Sequence, residues 1–413
     1  MNLGFLTGGF RIPSRRLLAV ILLSSSTLAW FLVFFVAFNN IFSNVSNNTD
    51  VVFVGYFVFL GFLILSAVGG SFLSTRFKQR NFLFFWMVFG LLVTAFMVFS
   101  QYLGLIFFFM ISMLLGFSVG LGFPSALAFI SDSTVIEERA RVSGIVIFMA
   151  FLIAIPVSAV ALAFSFGLTL VILLCAVRAI GFFALSLDSC DTKTIKEQSK
   201  GNIRVGKDFI SYLFPWLLFS LTGGVISLVW SGLPQSIFGN AITIGTELHF
   251  LGWAIFGLLS GLMADRFGRK QPIIIGLALL GVSFAILGLV TTPLSVIIYF
   301  VFSGVAWGFL FTVYIAVLGD LAFPGSRERV YAFGGIVPLI VGLSFSAISV
   351  EAGFSAPAAT LSSVLSILLF VSILPILRAS ETLPKKKMRS RQMKEHLDKV
   401  GELVEEFKKP DSS

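Results

Sequence analysis

The acidic residues that have arginines for neighbours fall in three short clusters of this chain. The densest reads Gly261-Leu-Met-Ala-Asp265-Arg266-Phe-Gly268-Arg269-Lys270; the others read Asp132…Glu138-Arg139-Ala-Arg141-Val-Ser-Gly144 and Asp320…Arg327-Glu328-Arg329. A carboxylate beside a guanidinium forms charge-assisted hydrogen bonds, and it can also rest against the positive N-terminus of a neighbouring helix. Gly261 presents no side chain to an approaching helix, and Gly268 permits a left-handed turn. Plain anchoring to lipid headgroups explains Arg266, Arg269 and Lys270, but neither Asp265 nor the glycines. This is chemistry that clasps helices rather than breaks bonds. The sequence carries no nucleotide-binding loop, metal cluster or nucleophile triad, and its serines lack a deep His or acid beside them. Neither enzymatic activity nor a bound cofactor is expected.

The elements that hold these clusters follow from composition. Of 413 residues 57% are apolar and 12% charged, with mean hydropathy +1.00, more apolar side chain than a soluble domain can cover. A spanning helix needs about 20 apolar residues. Such stretches run at 17–38, 51–74, 81–100, 102–131, 143–164, 167–187, 210–232, 247–264, 271–291, 293–319, 330–350 and 354–377. Read as twelve spans with both termini cytoplasmic, they put all 29 Lys and Arg residues except Arg178 at one boundary. The outer connections then hold none. Basic loops stay inside, so this asymmetry sets both orientation and helix count. The net charge of +9 is accounted for by those loops and their contact with anionic lipids, not by nucleic acid. The expectation is an all-α integral protein of the cell membrane, multi-pass and monomeric. The first apolar stretch is too long for a signal peptide and lacks a small-residue cleavage site, so it is read as a span. Cys175 and Cys190 make no disulfide framework.

Residues 188–209 form a polar cytoplasmic loop midway, separating a six-helix bundle at 1–187 from another at 210–377. The halves resemble each other. A shift of 188 superposes Gly116, Gly120, Phe123, Ala128, Asp132, Arg139, Arg141 and Val142 on Gly304, Gly308, Phe311, Ala316, Asp320, Arg327, Arg329 and Val330. That is a parallel internal repeat of the kind found in transporters. Residues 378–413 form a basic tail whose apolar positions, Met393, Leu397, Val400, Val404 and Phe407, make one helical stripe suited to the inner membrane surface. Two glycosylation acceptor patterns begin at Asn44 and Asn47 in the first outer loop.

The ten-residue cluster resembles the signature of the major facilitator superfamily, Gly-x-Leu-Ala-Asp-Arg-x-Gly-Arg-Lys, with Met263 for the usual Leu. That resemblance implies a twelve-helix fold of two pseudo-symmetric bundles. It places Asp265 against the start of the fifth helix near Ser143, with Asp320 a second acid for Arg269, as a latch that closes the cytoplasmic side. The first half departs from the pattern, carrying Thr75, Lys78 and Gln79 where the second has Asp265, Gly268 and Arg269. Its own acid, Asp132, is left to find Arg76, Arg80 or Arg141. An asymmetric inner gate, held mainly by the second-half motif, is expected.

By the same resemblance, helices 1, 4, 7 and 10 line a central cavity, and 3, 6, 9 and 12 face lipid. The cavity candidates are Ser26 and Trp30 on the first helix, Trp230 on the seventh, and Trp307 and Tyr314 on the tenth. Serines also bond back to their own helix and Trp also sits at headgroup level, so a structural role stands beside the binding one. Arg178, the basic residue inside a span, is either a substrate or anion contact or a lipid-facing side chain that snorkels inward. His249 and Glu247 could relay protons or simply mark an exposed helix entrance. No acid lies deep in any span, position 112 is Ser rather than an antiporter's Arg, and the fifth-helix antiporter pattern is reduced to Ile155-Pro156-Val-Ser-Ala159. The reading is a secondary transporter working by alternating access on a small uncharged or amphipathic solute, driven by the solute's gradient or a coupled ion. The rival is a sensor or lipid-handling protein that uses the fold without flux.

Overall fold

A computed structural model describes residues 10, 12–43, 49–101, 104–163, 168–187, 205–323, 325–351, 358–384 and 400. The acceptor patterns at Asn44 and Asn47, Cys190, most of the central loop and nearly all of the tail stripe lie outside the described residues. Among the described residues there is no strand. The helices are α1 (Ser14–Ser43), α2 (Thr49–Leu73), α3 (Gln79–Phe96), α4 (Gly104–Ser133), α5 (Arg139–Ala163), α6 (Leu168–Leu187), α7 (Val205–Ser231), α8 (Gln235–Phe267), α9 (Lys270–Leu289) and α10 (Pro293–Leu321). The next, α11, is composite: Arg327–Tyr331, a π-helical turn at Ala332–Ile336, then Val337–Glu351. The last is α12 (Ala358–Arg378). Among the described residues twelve helices are long and apolar enough to cross a bilayer, and the chain is a multi-pass membrane protein.

Two boundaries differ from the sequence expectation in ways that matter. The outer connection expected at 233–246 is helical: α8 starts at Gln235 and runs 33 residues, roughly 50 Å at 1.5 Å per residue. Its first three turns carry Gln235, Ser236, Asn240, Thr243 and Thr246, polar enough to fail a hydropathy reading yet free of any proline. On the other side, α5 starts at Arg139 rather than 143, which moves its first-turn N–H groups onto Ala140 and Arg141. Prolines inside α4, α5, α7 and α12 are tolerated because neighbouring helices re-satisfy the freed backbone groups.

Packing repeats with a period of six helices. α2 lies on α4 as α8 lies on α10; α3 on α6 as α9 on α12; α1 on α5 as α7 on α11; and α1 on α6 as α7 on α12. Lipid supplies no hydrophobic drive between helices, so close backbone approach decides these contacts. The repeated glycines provide it. A Cβ at Gly116 or Gly120 would strike the α2 backbone at Phe59 and Leu63, and one at Gly304 or Gly308 would strike α8 at His249 and Trp253. The two sets meet where α5 packs on α8 and α2 on α11.

Candidate functional site

At the end of the bundle that carries the basic residues, the three charged clusters meet. Asp265 closes α8, and Gly268, at φ +101°, turns the chain in a conformation that L side chains avoid. Arg269 is thereby folded back and fully buried. It donates from Nη1 to Asp265 Oδ1 at 2.5 Å, from Nε to Asp320 Oδ2 at 3.0 Å, and from Nη2 to the Ile136 carbonyl at 2.6 Å. Asp265 in turn accepts the backbone N–H of Arg141 at 2.8 Å and of Ala140 at 3.3 Å. Those are orphan donors of the first turn of α5, where the helix dipole favours an anion. Gly261 sits where any Cβ would collide with the Ala140 carbonyl, so α8 and α5 come close enough for these bonds. Burial alone would weaken the charge on Arg269; Asp320 and Asp265 outweigh it and hold the guanidinium above the ordinary arginine value.

Asp320 is shared. Its Oδ1 takes Arg139 Nη1 at 2.5 Å, and Arg139 also donates through Nη2 to the carbonyls of Ser131 and Thr134 at 3.0 and 3.3 Å. Asp265, Arg269, Asp320 and Arg139 thus alternate in sign as one buried chain with no net charge. Its members come from α5 and from the α8–α10 segment. The pseudo-symmetric acid, Asp132, accepts Arg327 Nη1 at 2.5 Å and Gln79 Nε2 at 2.8 Å. This corrects the expected partners. Arg80 reaches the Leu185 carbonyl at 3.3 Å, Arg141 lies 4.1 Å from the Phe10 ring centroid, and Arg76 is exposed. Thr75, in the place of Asp265, is exposed and returns its hydroxyl to Phe72 at 2.7 Å. Arg329 sits 4.6 Å over Phe72, Arg266 5.4 Å over Phe267, and Lys270 Nζ donates to the carbonyls of Leu377 and Ala379 at 2.8 and 2.9 Å.

The exchange of partners was not read from sequence: Arg139 pairs with the second-half acid and Arg327 with the first-half acid. The repeat held the clue, because superposed Asp132/Arg139 and Asp320/Arg327 are equally able to pair within a copy or across copies. Also missed was the strap after α12. Glu381 accepts the backbone N–H of Arg269 at 2.8 Å and of Lys270 at 3.2 Å, and Thr382 donates to Asp320 at 3.2 Å. Tyr212 donates to the Ser380 carbonyl at 2.9 Å, and Asp208 accepts the Ser380 N–H at 3.1 Å.

The five cavity candidates and Arg178 separate into two places. Trp230, Trp307 and Tyr314 belong to an aromatic chamber between α7, α8 and α10. Trp307 packs on Phe219 at 4.3 Å and on Trp253 at 4.8 Å between centroids, Tyr314 on Trp216 at 4.7 Å, and Trp230 stacks on Phe300 at 5.0 Å. Phe151 of α5 closes on Trp253 at 4.9 Å. His249 is no exposed entrance: with α8 starting earlier, it lies against the rings of Phe250, Trp253, Phe300 and Trp307, while Glu247 is exposed. Four buried polar atoms here lack a protein partner: His249 Nδ1, Trp253 Nε1, Thr312 Oγ1 and Tyr314 OH. In hydrocarbon such groups are expensive, so these four atoms mark where the aromatic cluster is left polar.

Ser26, Trp30 and Arg178 lie elsewhere, among α1, α3 and α6. Ser26 donates to the Leu23 carbonyl at 3.0 Å and Trp30 stacks on Phe34 at 4.9 Å. Arg178 does not snorkel. It is 4% exposed, with its guanidinium carbon 4.3 Å from the Trp30 centroid and 5.6 Å from that of Trp86. Among the described residues, no group of three His, Cys, Asp or Glu could hold a metal ion.

No protein-family model and no curated protein sequence matches the chain. Solved structures do. The human organic anion transporter MFSD10 (TETRAN) superposes with a TM-score of 0.65 at 12% identity, covering 88% of this chain and 100% of that one. The major facilitator superfamily proton:xylose symporter XylE, bound to 6-bromo-6-deoxy-D-glucose, superposes with a TM-score of 0.69 at 13% identity, covering 92% and 97%.

Proposed function

From the premise that this chain has the fold of the major facilitator superfamily transporters, we propose that it is a secondary transporter of a small solute. The bundles expected at 1–187 and 210–377 are α1–α6 and α7–α12, the second beginning at Val205 and ending at Arg378; the connection between them and the tail beyond Arg378 lie on the cytoplasmic side in this reading. The carrying observation is the exchanged pair of salt bridges. Arg139–Asp320 and Arg327–Asp132 tie opposite halves together at one end of the bundle. A protein that alternates between two faces needs a closure of this kind, strong enough to hold and discrete enough to release. The signature residues Gly261, Asp265, Arg266, Gly268, Arg269 and Lys270, with Arg141 and Arg329, build or flank that closure, and positive-inside placement makes it the cytoplasmic gate.

The solute is small, and uncharged or amphipathic, because the chamber offers rings and unpartnered polar atoms rather than fixed charges. The solved neighbours are named for an organic anion and for xylose moved with a proton, both small. Reconstituted protein is expected to move one member of a panel of labelled sugars, amphipathic amines and carboxylates saturably, in proteoliposomes made with and without a pH gradient. Wild type indistinguishable from Asp320→Asn for every member would overturn the transport reading. Thr75 in place of an acid favours the non-transporting sensor as the second reading, and the same assay separates the two.

A further inference from the structure

Arg178 is the eleventh residue of α6, roughly 14 Å along the axis from either end of that helix. A charge at that depth belongs with a counter-charge. Yet among the described residues no Asp or Glu pairs with it, and its Nε and Nη1 are buried with no hydrogen-bond partner. What surrounds it is built. Trp30 of α1 and Trp86 of α3 flank the guanidinium. Gly90 of α3 leaves space that a Cβ would take from Nη1. Trp86 is fixed by its own N–H, which donates to the Ser118 carbonyl at 2.6 Å. Trp30 Nε1 is also buried and unpartnered.

All three unpartnered atoms around this point are donors. A cluster of buried donors with a positive charge, paired with no carboxylate among the described residues, is complementary to an oxyanion. We propose that Arg178 and Trp30 bind the oxyanion headgroup of an amphipathic molecule, a carboxylate, sulfonate or phosphate with an apolar body, inside the N-terminal bundle and apart from the aromatic chamber. The rings of Trp30 and Trp86 contact the guanidinium, and its Nε and Nη1 are the donors left for the anion. The site is independent of the transport reading, and the binding claim is tested without flux, so the two can fail separately.

The test uses the full chain, purified in neutral detergent, with dodecanoate as probe and dodecanol as its uncharged control. Dodecanoate is expected to raise the unfolding temperature by mass action and dodecanol to leave it unchanged. In Arg178→Met the dodecanoate response is expected to weaken about 30-fold or more in concentration. The same variant unfolds at a higher temperature when unliganded, because an unmatched buried charge has been removed. Trp30→Phe keeps the ring and deletes the donor, and about a tenfold loss is expected. It serves alone if Arg178→Met does not fold. Nanodiscs of phosphatidylcholine with and without phosphatidylglycerol distinguish the source. Stabilisation by phosphatidylglycerol that needs Arg178 assigns the site to a bilayer lipid, and its absence beside a dodecanoate response assigns it to a free amphiphile. An undiminished dodecanoate response in both variants overturns the proposal. So does an Arg178→Met protein that is less stable unliganded and no less responsive, the signature of a purely structural clamp.

Discussion

Replacing Asp265 by Asn keeps shape and removes one charge from the buried alternating chain. Arg269 then leans on Asp320 alone, which already serves Arg139, and two guanidinium groups share one carboxylate. The α5 N-terminus loses its anion as well. Removing one partner of a buried pair costs about 3 kcal/mol at the lower end, a factor of roughly 150 in an equilibrium constant. An end closed about 99% of the time would then be closed roughly 40% of the time. Thr75 occupies the equivalent place in the other half but is exposed and bonds only to its own turn, so Thr75→Asp should shift stability by no more than about 0.5 kcal/mol. Spin labels on the exposed Lys78 and Lys207, one in each half, read the separation by pulsed electron resonance. Asp265→Asn should add a large long-distance population, and Thr75→Asp should not. Equal responses from the two substitutions would refute an asymmetric gate.

Three further outcomes follow from the same geometry. Arg139→Gln, at a nearly fully buried pair, should open the basic end more than Arg327→Gln, whose pair is 14% and 18% exposed; the reverse order in the same resonance measurement would contradict the burial argument. Gly261→Val should lower thermal stability by about 1–3 kcal/mol through overpacking against the Ala140 carbonyl, with Gly239→Val, beside an open region of α8, as the near-neutral control. His249→Phe keeps a ring in the chamber and removes Nδ1. Solute affinity should fall about tenfold without a drop in unfolding temperature, and unchanged affinity would remove His249 from recognition.

Much of the architecture was legible because lipid imposes simple rules. Apolar length marked the spans, and the confinement of Lys and Arg marked which ends belong together. The rule failed at Gln235–Thr246, where a helix extends beyond the expected apolar core and hydropathy says nothing about it. In the candidate gate, Asp265 and Arg269 were readable as a pair from the signature spacing. The exchange that sends Arg139 to Asp320 and Arg327 to Asp132 was not, since a sequence repeat does not say which copy supplies the partner. For Arg178 helix order left a lipid-facing reading beside a binding one; the packing of α6 on α1 and α3 buries it. Glu381 lay just past the last apolar stretch, where nothing in its neighbours announces a cap for a helix more than a hundred residues earlier.

That cap has a practical corollary for anyone trimming the polypeptide. Glu381, Thr382 and the Ser380 backbone are joined to α7, α9 and Asp320, so a stop codon placed before residue 380 strips donors and acceptors from the sealed end and leaves the α9 amides bare. One placed after Pro384 removes none of those bonds. The limit for keeping these bonds falls within five residues, and a fluorescent or affinity fusion needs its spacer beyond Pro384.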